Sequence, residues 1–157
     1  MQLREACRSL LLSPERELLL MKVCNPDSGW TGWLAPGGGV NTGESPEETL
    51  RRELEEELGL TEFEMGPQVW WREHTFRWDG ALLCQREQFY LIRIPRFVAR
   101  YRHGFGAAED RAFLELRWWT LDAMANSAER FVPARLAALV EELIARGIPA
   151  QPVDCGE

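Results

Sequence analysis

The chain has 157 residues, of which 45% are hydrophobic, and a formal net charge of −7. That is enough apolar material for one sizeable core, so a single domain over residues 1–157 is the simplest organisation. The acidity argues against strong non-specific nucleic-acid binding, and no stretch approaches the ~20 apolar residues of a membrane span.

Residues 5–12 and 17–24 read as two strands joined by the polar turn Ser13-Pro14-Glu15-Arg16. Leu10-Leu11-Leu12 is too short for the core of a signal peptide, so a cytoplasmic location is expected. Asn25-Pro26-Asp27-Ser28-Gly29 forms a loop leading to Trp30 and Trp33, and then to Pro36-Gly37-Gly38-Gly39. Such a glycine run forces a tight backbone and lets main-chain groups come close to a phosphate or a metal. Ser45 as N-cap, Pro46 at the first helical position and Glu48 completing a capping box then open a short helix. Gly59 stands where a left-handed cap should close it.

Residues 68–78 and 81–94 read as long strands around Asp79-Gly80, a strong two-residue hairpin signal. Another strand covers 112–120, with a helical turn after Leu121. A last helix over 133–146 carries the apolar stripe Leu136, Leu139, Val140, Leu143 and Ile144, with Gly147 as its cap. The tail 148–157, with Pro149, Pro152 and Gly156, reads as irregular. Strands on both sides of a central helix, plus a second helix, predict an α/β fold with a mixed sheet between helical layers. Cys7, Cys24, Cys84 and Cys155 are scattered with no CxxC, which indicates neither a zinc knuckle nor a redox pair.

The acidity is concentrated: Glu44 to Glu57 holds seven acids against Arg51 and Arg52, contributing −5 of the −7. On the predicted helix Glu53, Glu56 and Glu57 are three and four residues apart and share one arc, beside the anchoring arc of Leu50, Leu54 and Leu58. Two carboxylates ~4 Å apart repel by roughly 4 kcal/mol at an effective dielectric near 20. Three together call for something positive among them. Oxygen-only ligands suit a hard divalent cation, Mg²⁺ or Mn²⁺ ahead of zinc.

Gly38, five residues, Glu44, seven residues, and then Arg52-Glu53-Leu54-Glu55-Glu56-Glu57-Leu58-Gly59-Leu60 resembles the Nudix box at every defining position. The resemblance implies an α/β/α sandwich with a mixed β-sheet. It also implies divalent metal and hydrolysis of a phosphoanhydride in a nucleoside diphosphate linked to another moiety. It makes Glu53, Glu56, Glu57 and the Gly37 carbonyl the expected metal ligands, and leaves Glu53 the alternative role of general base. Glu109, in the loop before the aromatic strand, is the expected further acid, as water-activating base or extra ligand. Gly38, Glu44 and Arg52 are expected to support these groups, with an ordinary surface ion pair as the alternative for Glu44 and Arg52. Marks of the ADP-ribose, coenzyme A, NADH and dinucleoside polyphosphate subgroups are missing, which points to a small nucleotide, an NTP or dNTP. A nucleotide-sugar or dinucleotide hydrolase, and a nucleotide-binding regulatory module without hydrolysis, are the alternatives.

The run from Gln88 to Ala108 contains Arg93, Arg96, Arg100 and Arg102 and no acid. Arg96, Arg100 and Arg102 are candidates for gripping distal phosphates; an exposed loop or an interface in a homodimer would also use them. Trp30 and Trp33, beside the glycine run, are the candidates for stacking on a base, although most tryptophans pack in cores. Glu87, mid-strand, is read as an ordinary strand position ahead of a site residue, and His74 and His103 are given no role.

Overall fold

A computed structural model describes residues 2–102 and 111–157. Among these residues eight strands form one mixed sheet, in the order β3-β2-β1-β6-β5-β8, with β4 added to β1 and β7 to β2. In chain order the strands are β1 (Leu3–Leu12), β2 (Glu17–Cys24), β3 (Thr31–Leu34), β4 (Gly37–Gly39), β5 (Gln68–Trp78), β6 (Ala81–Arg93), β7 (Phe113–Thr120) and β8 (Val153–Asp154). The helices are α1 (Pro46–Leu58), α2 (Leu121–Ala125) and α3 (Leu136–Arg146).

Successive side chains along β1 and β6 point to opposite faces of the sheet, and both faces are covered, so they enter two separate cores. On one face Leu10, Leu12, Trp70, Phe89 and Leu91 pack with α2 and with Leu136, Leu139, Val140 and Leu143 of α3. On the other, Cys7, Leu11, Leu19, Tyr90 and Ile92 pack against Leu50, Leu54 and Leu58 of α1. The sheet therefore lies between helical layers, as expected.

Two departures concern the ends of elements. The last helix begins at Leu136 rather than 133, and residues 133–135 lead into it. The tail expected to be irregular instead supplies β8, whose Val153 and Asp154 pair in parallel with Trp70 and Trp71. Cys155 beyond it is buried in the α3-side core.

The feature that opens a site is the separation of β1 from β2. They pair only beside their turn, at Leu12 and Leu18. Beyond that point β1 takes β6 and β4 as neighbours, while β2 takes β7 and β3. A cavity of about 1660 Å³ occupies the divergence, with β1, β2, β4 and α1 all contributing to its lining.

Because Leu54 is fully buried under the sheet, Leu54→Ala should cost about 2–5 kcal/mol of stability, the usual range for a core leucine that leaves a cavity. Urea denaturation measures it. A loss below about 1 kcal/mol would mean that α1 is not held by this contact.

Candidate functional site

Local chemistry sets α1 in place. The Ser45 side chain accepts from the Glu48 N–H while Glu48 reaches back to the Ser45 N–H, and Pro46 fits the first turn. Gly59 closes the helix at φ 68°, donating to the Glu55 carbonyl. With both ends fixed, Glu53, Glu56 and Glu57 face the cavity, and Glu55 is exposed on the other side.

Arg52 holds the acidic arc together. Its guanidinium donates to Glu44 at 2.7 and 2.9 Å, to Glu53 at 2.9 Å, to Glu56 at 3.5 Å and to the Gly39 carbonyl at 2.9 Å. The contact with Arg52, backed by the Asn41 N–H, lowers the Glu44 carboxyl to about 2. Glu57 accepts from the Gly37 N–H at 3.1 Å.

The glycines are needed for this approach. A Cβ on Gly37, whose φ is +149°, would stand 2.0 Å from the Cys7 carbonyl oxygen. A Cβ on Gly38 would lie 2.5 Å from the Glu53 carboxylate, so that carboxylate rests directly on bare backbone.

The donors are all oxygens, and the seat that Gly38 leaves for Glu53 is the kind of cradle a hard cation's ligand needs. The chemistry of Glu53, Glu56, Glu57 and the Gly37 carbonyl thus fits Mg²⁺ or Mn²⁺. Among the described residues the carboxylates are not gathered onto one point; Arg52 and the Gly37 N–H hold them instead.

Opposite this acidic wall stands a basic one that the sequence did not disclose. Arg4 and Arg8 of β1, Arg72 and His74 of β5 and Glu87 of β6 all line the same cavity. Glu87 is only 4% exposed. It accepts from Arg8 Nε at 2.6 Å and pairs with Arg72 Nε at 3.0 Å. Burial alone would raise the Glu87 pKa, but the two arginines bring it below the usual carboxylate value. Burial and Arg72 lower the pKa of His74, so its imidazole is neutral near pH 7. The signal available in the sequence was phase. Arg72 and His74 alternate with Trp70, and Glu87 with Phe89, so these charges fall on a core face.

Other expected site residues fall elsewhere. Trp33 is fully buried, edge-on to Trp119 at 5.1 Å, because Gly32 and Trp33 sit between β2 and the Phe131 segment. This corrects the expectation that it stacks on substrate. Trp30 does line the cavity, its ring folded over Gly32. Arg96 pairs with Glu17, and Arg102 donates to the Glu55 carbonyl at the C-terminal end of α1. Neither these two nor Arg100 is in the cavity lining, although Tyr101 between Arg100 and Arg102 is; Arg102 is drawn instead to the C-terminal end of α1. Glu109 and His103 lie outside the described residues. No described helix is long and apolar enough to cross a membrane.

Known proteins resemble this chain in sequence and in fold. A family model described as NUDIX domain matches residues 3–140. An RNA pyrophosphohydrolase of Aliivibrio fischeri (strain MJ11) is 34% identical over 76 residues, covering 42% of this chain and 45% of that protein. The matched region thus spans less than half the length of that curated relative. A MutT NUDIX hydrolase from Burkholderia pseudomallei superposes with a TM-score of 0.60 at 26% identity, covering 87% of this chain and 96% of that one. A MutT structure from work on Aliivibrio salmonicida and Vibrio cholerae gives 0.54 at 27% identity, covering 92% and 99%.

The depressed Glu44 carboxyl has a pH signature. A carboxyl with a lower pKa in the folded than in the unfolded state adds stability above its unfolded value. It loses that stability as pH falls toward the folded value. Glu44→Gln should therefore lower the melting temperature near neutral pH, with the gap to wild type closing as pH drops from 4.5 toward about 2. Melting curves at pH 7, 5 and 3 check this; a gap that is unchanged at pH 3 would show that the Glu44 charge adds nothing.

Proposed function

Since the chain belongs to the Nudix hydrolase family, we propose that it is a metal-dependent pyrophosphohydrolase. Its substrate would be a nucleoside diphosphate linked to another group, and specifically a nucleoside or deoxynucleoside triphosphate. The observation that carries this reading is the acidic arc of α1 set against the Gly37–Gly39 backbone, in a cavity large enough for a nucleotide. The relatives' name points to an RNA substrate for those proteins; the net charge of −7 here favours a small nucleotide over a polyanion.

In this reading Glu53, Glu56, Glu57 and the Gly37 carbonyl hold Mg²⁺, with Mn²⁺ able to replace it. The cation supplies neutralisation of phosphate charge and a more acidic bound water. The chain's own residues do the positioning. Arg52 fixes the Glu53 carboxylate from one side at 2.9 Å, and Gly38 gives it room on the other. Glu53, or Glu109, accepts the proton of the attacking water. Trp30 is the flat side chain available to a base.

Two glutamates two residues apart separate this reading from a merely acidic surface. Glu57→Gln keeps the side chain's size and removes its charge, so kcat at saturating Mg²⁺ should fall on the order of 10³, equivalent to ~4 kcal/mol. Glu55→Gln, on the exposed side, should change kcat by less than about threefold. The assay follows phosphate and pyrophosphate release from a panel of nucleotides with and without EDTA. Full turnover in metal-free EDTA, or equal losses in the two variants, would overturn the assignment.

A further inference from the structure

The basic wall of the cavity is a built feature. On the sheet face that carries the α3-side core, apolar alternation runs Leu12, Leu10 along β1, Leu91, Phe89 along β6, and ends at Trp70 on β5. One step further the same face carries Arg8, Glu87 and Arg72, with Arg72 directly across from Glu87 in the β5–β6 register. Two of these positions keep the burial of core sites, Arg72 at 5% exposed and Glu87 at 4%, while Arg8 is partly buried. Burying such groups is costly unless each charge is answered.

Counting the charges shows what is missing. Glu87 has one negative charge and two arginine partners, and His74 beside Arg72 is neutral near pH 7. Within the Arg8–Glu87–Arg72 group alone positive charge exceeds negative by one, and Arg4, lying over Gly39, adds to it. The carboxylates that face the group from outside are Glu53 and Glu57 of α1, acting on Arg8, and Glu157 of the cavity lining, acting on His74. The guanidinium contacts also leave defined vacancies. Arg8 uses Nε on Glu87 and Nη1 on the carbonyls of Ala35 and Gly37, at 3.4 and 3.3 Å. Arg72 donates Nη2 to His74 Nδ1, and its buried Nε lies 3.0 Å from Glu87 Oε1 as an ion pair without hydrogen-bond geometry. Among the described residues Arg8 Nη2 and Arg72 Nη1 have no protein partner, and both side chains line the cavity.

We propose that Arg8 and Arg72, held in place by the two carboxylate oxygens of Glu87, form an anion fork that receives a phosphoryl group of the substrate. This rests on the reading of the cavity as the nucleotide site. Arg8 also touches the Gly37 carbonyl, whose own N–H binds Glu57, so the fork lies next to the acidic wall. A phosphoryl group there is adjacent to the one engaged at α1, which suits a chain of linked phosphates. Planar guanidiniums match phosphate oxygens in pairs. Glu87 is the positioning residue: it touches the arginines and not the ligand.

The test turns on a sign. Glu87→Gln removes a negative charge from the fork, so charge alone predicts tighter anion binding, whereas loss of positioning predicts weaker binding. Inorganic pyrophosphate is titrated calorimetrically into the full chain in EDTA, which takes metal out of the measurement. Wild type should bind. Arg8→Ala and Arg72→Ala should each weaken binding about 10- to 150-fold, the range for a charge-assisted hydrogen bond, and Glu87→Gln should weaken it at least threefold. Arg72→Lys keeps the charge without the fork and should also weaken binding, so the test stands if the Glu87 variant fails to fold. No binding by wild type, equal binding by Arg72→Lys, or tighter binding by Glu87→Gln would overturn the fork. Its failure is separable from failure of the hydrolase reading. Turnover with an unchanged KM in Arg8→Ala and Arg72→Ala removes the fork alone. Pyrophosphate binding with no turnover of any nucleotide removes the hydrolase and leaves the fork.

Discussion

The site depends on Arg52. Three carboxylates on one arc within little more than one turn repel each other, and a helix bearing them has every reason to splay those side chains into water. One guanidinium prevents it by touching Glu44, Glu53 and Glu56 together with the Gly39 carbonyl. The same residue thereby ties the helix to the glycine strand, so the acids and the backbone beside them have a common reference point. Its charge is reinforced in return, chiefly by the hydrogen bond with Glu44, which outweighs the cost of partial burial. Arg52 is partly exposed, so water screens each contact. The value of the arrangement lies in orientation more than in stability.

That local device works because the sheet presents the right surface to it. β1 joins β2 only at Leu12 and Leu18, and the edge it would otherwise give to β2 is taken by β4 through Ala6, Cys7 and Arg8. The glycine strand is therefore held by backbone pairing to the strand that carries Arg4 and Arg8. The acidic helix packs on the opposite face through Leu50, Leu54 and Leu58. Acidic and basic walls thus come from two layers joined at one strand.

What could be read in advance follows from the range of the interactions. The helix, its caps and the phase of its carboxylates are set within a dozen residues, by side chains and backbone a few positions apart, and they came through intact. The hairpin around Asp79-Gly80 did too, for the same reason. The basic wall did not, because it exists only in the register of three strands: Arg8 meets Glu87 across 79 positions of sequence. The arginine run was prominent as composition, yet Arg96 meets Glu17 and Arg102 caps α1. Trp33 misled through adjacency. Nearness to Gly37 along the chain says nothing about which face a strand residue takes, and pairing with β2 turns it inward onto Trp119. The β8 pairing depends on backbone groups that any sequence carries, so Pro149 and Pro152 nearby concealed it.

The two walls have opposite charge, and unless something separates them a flexible pair would collapse into salt bridges and close the cavity. Gly37 stands between them. Its N–H is committed to Glu57 on the acidic side and its carbonyl accepts from Arg8 on the basic side. Its own position is fixed by pairing opposite Arg8 in the β1–β4 ladder. A residue with a side chain cannot take that place, since φ is +149° and the Cys7 carbonyl fills the space where a Cβ would go. The spacing between acid and base is therefore set by a backbone ladder rather than by the reach of long side chains. Glu87 completes the separation by keeping Arg8 and Arg72 occupied on the sheet, away from the carboxylates they would otherwise neutralise.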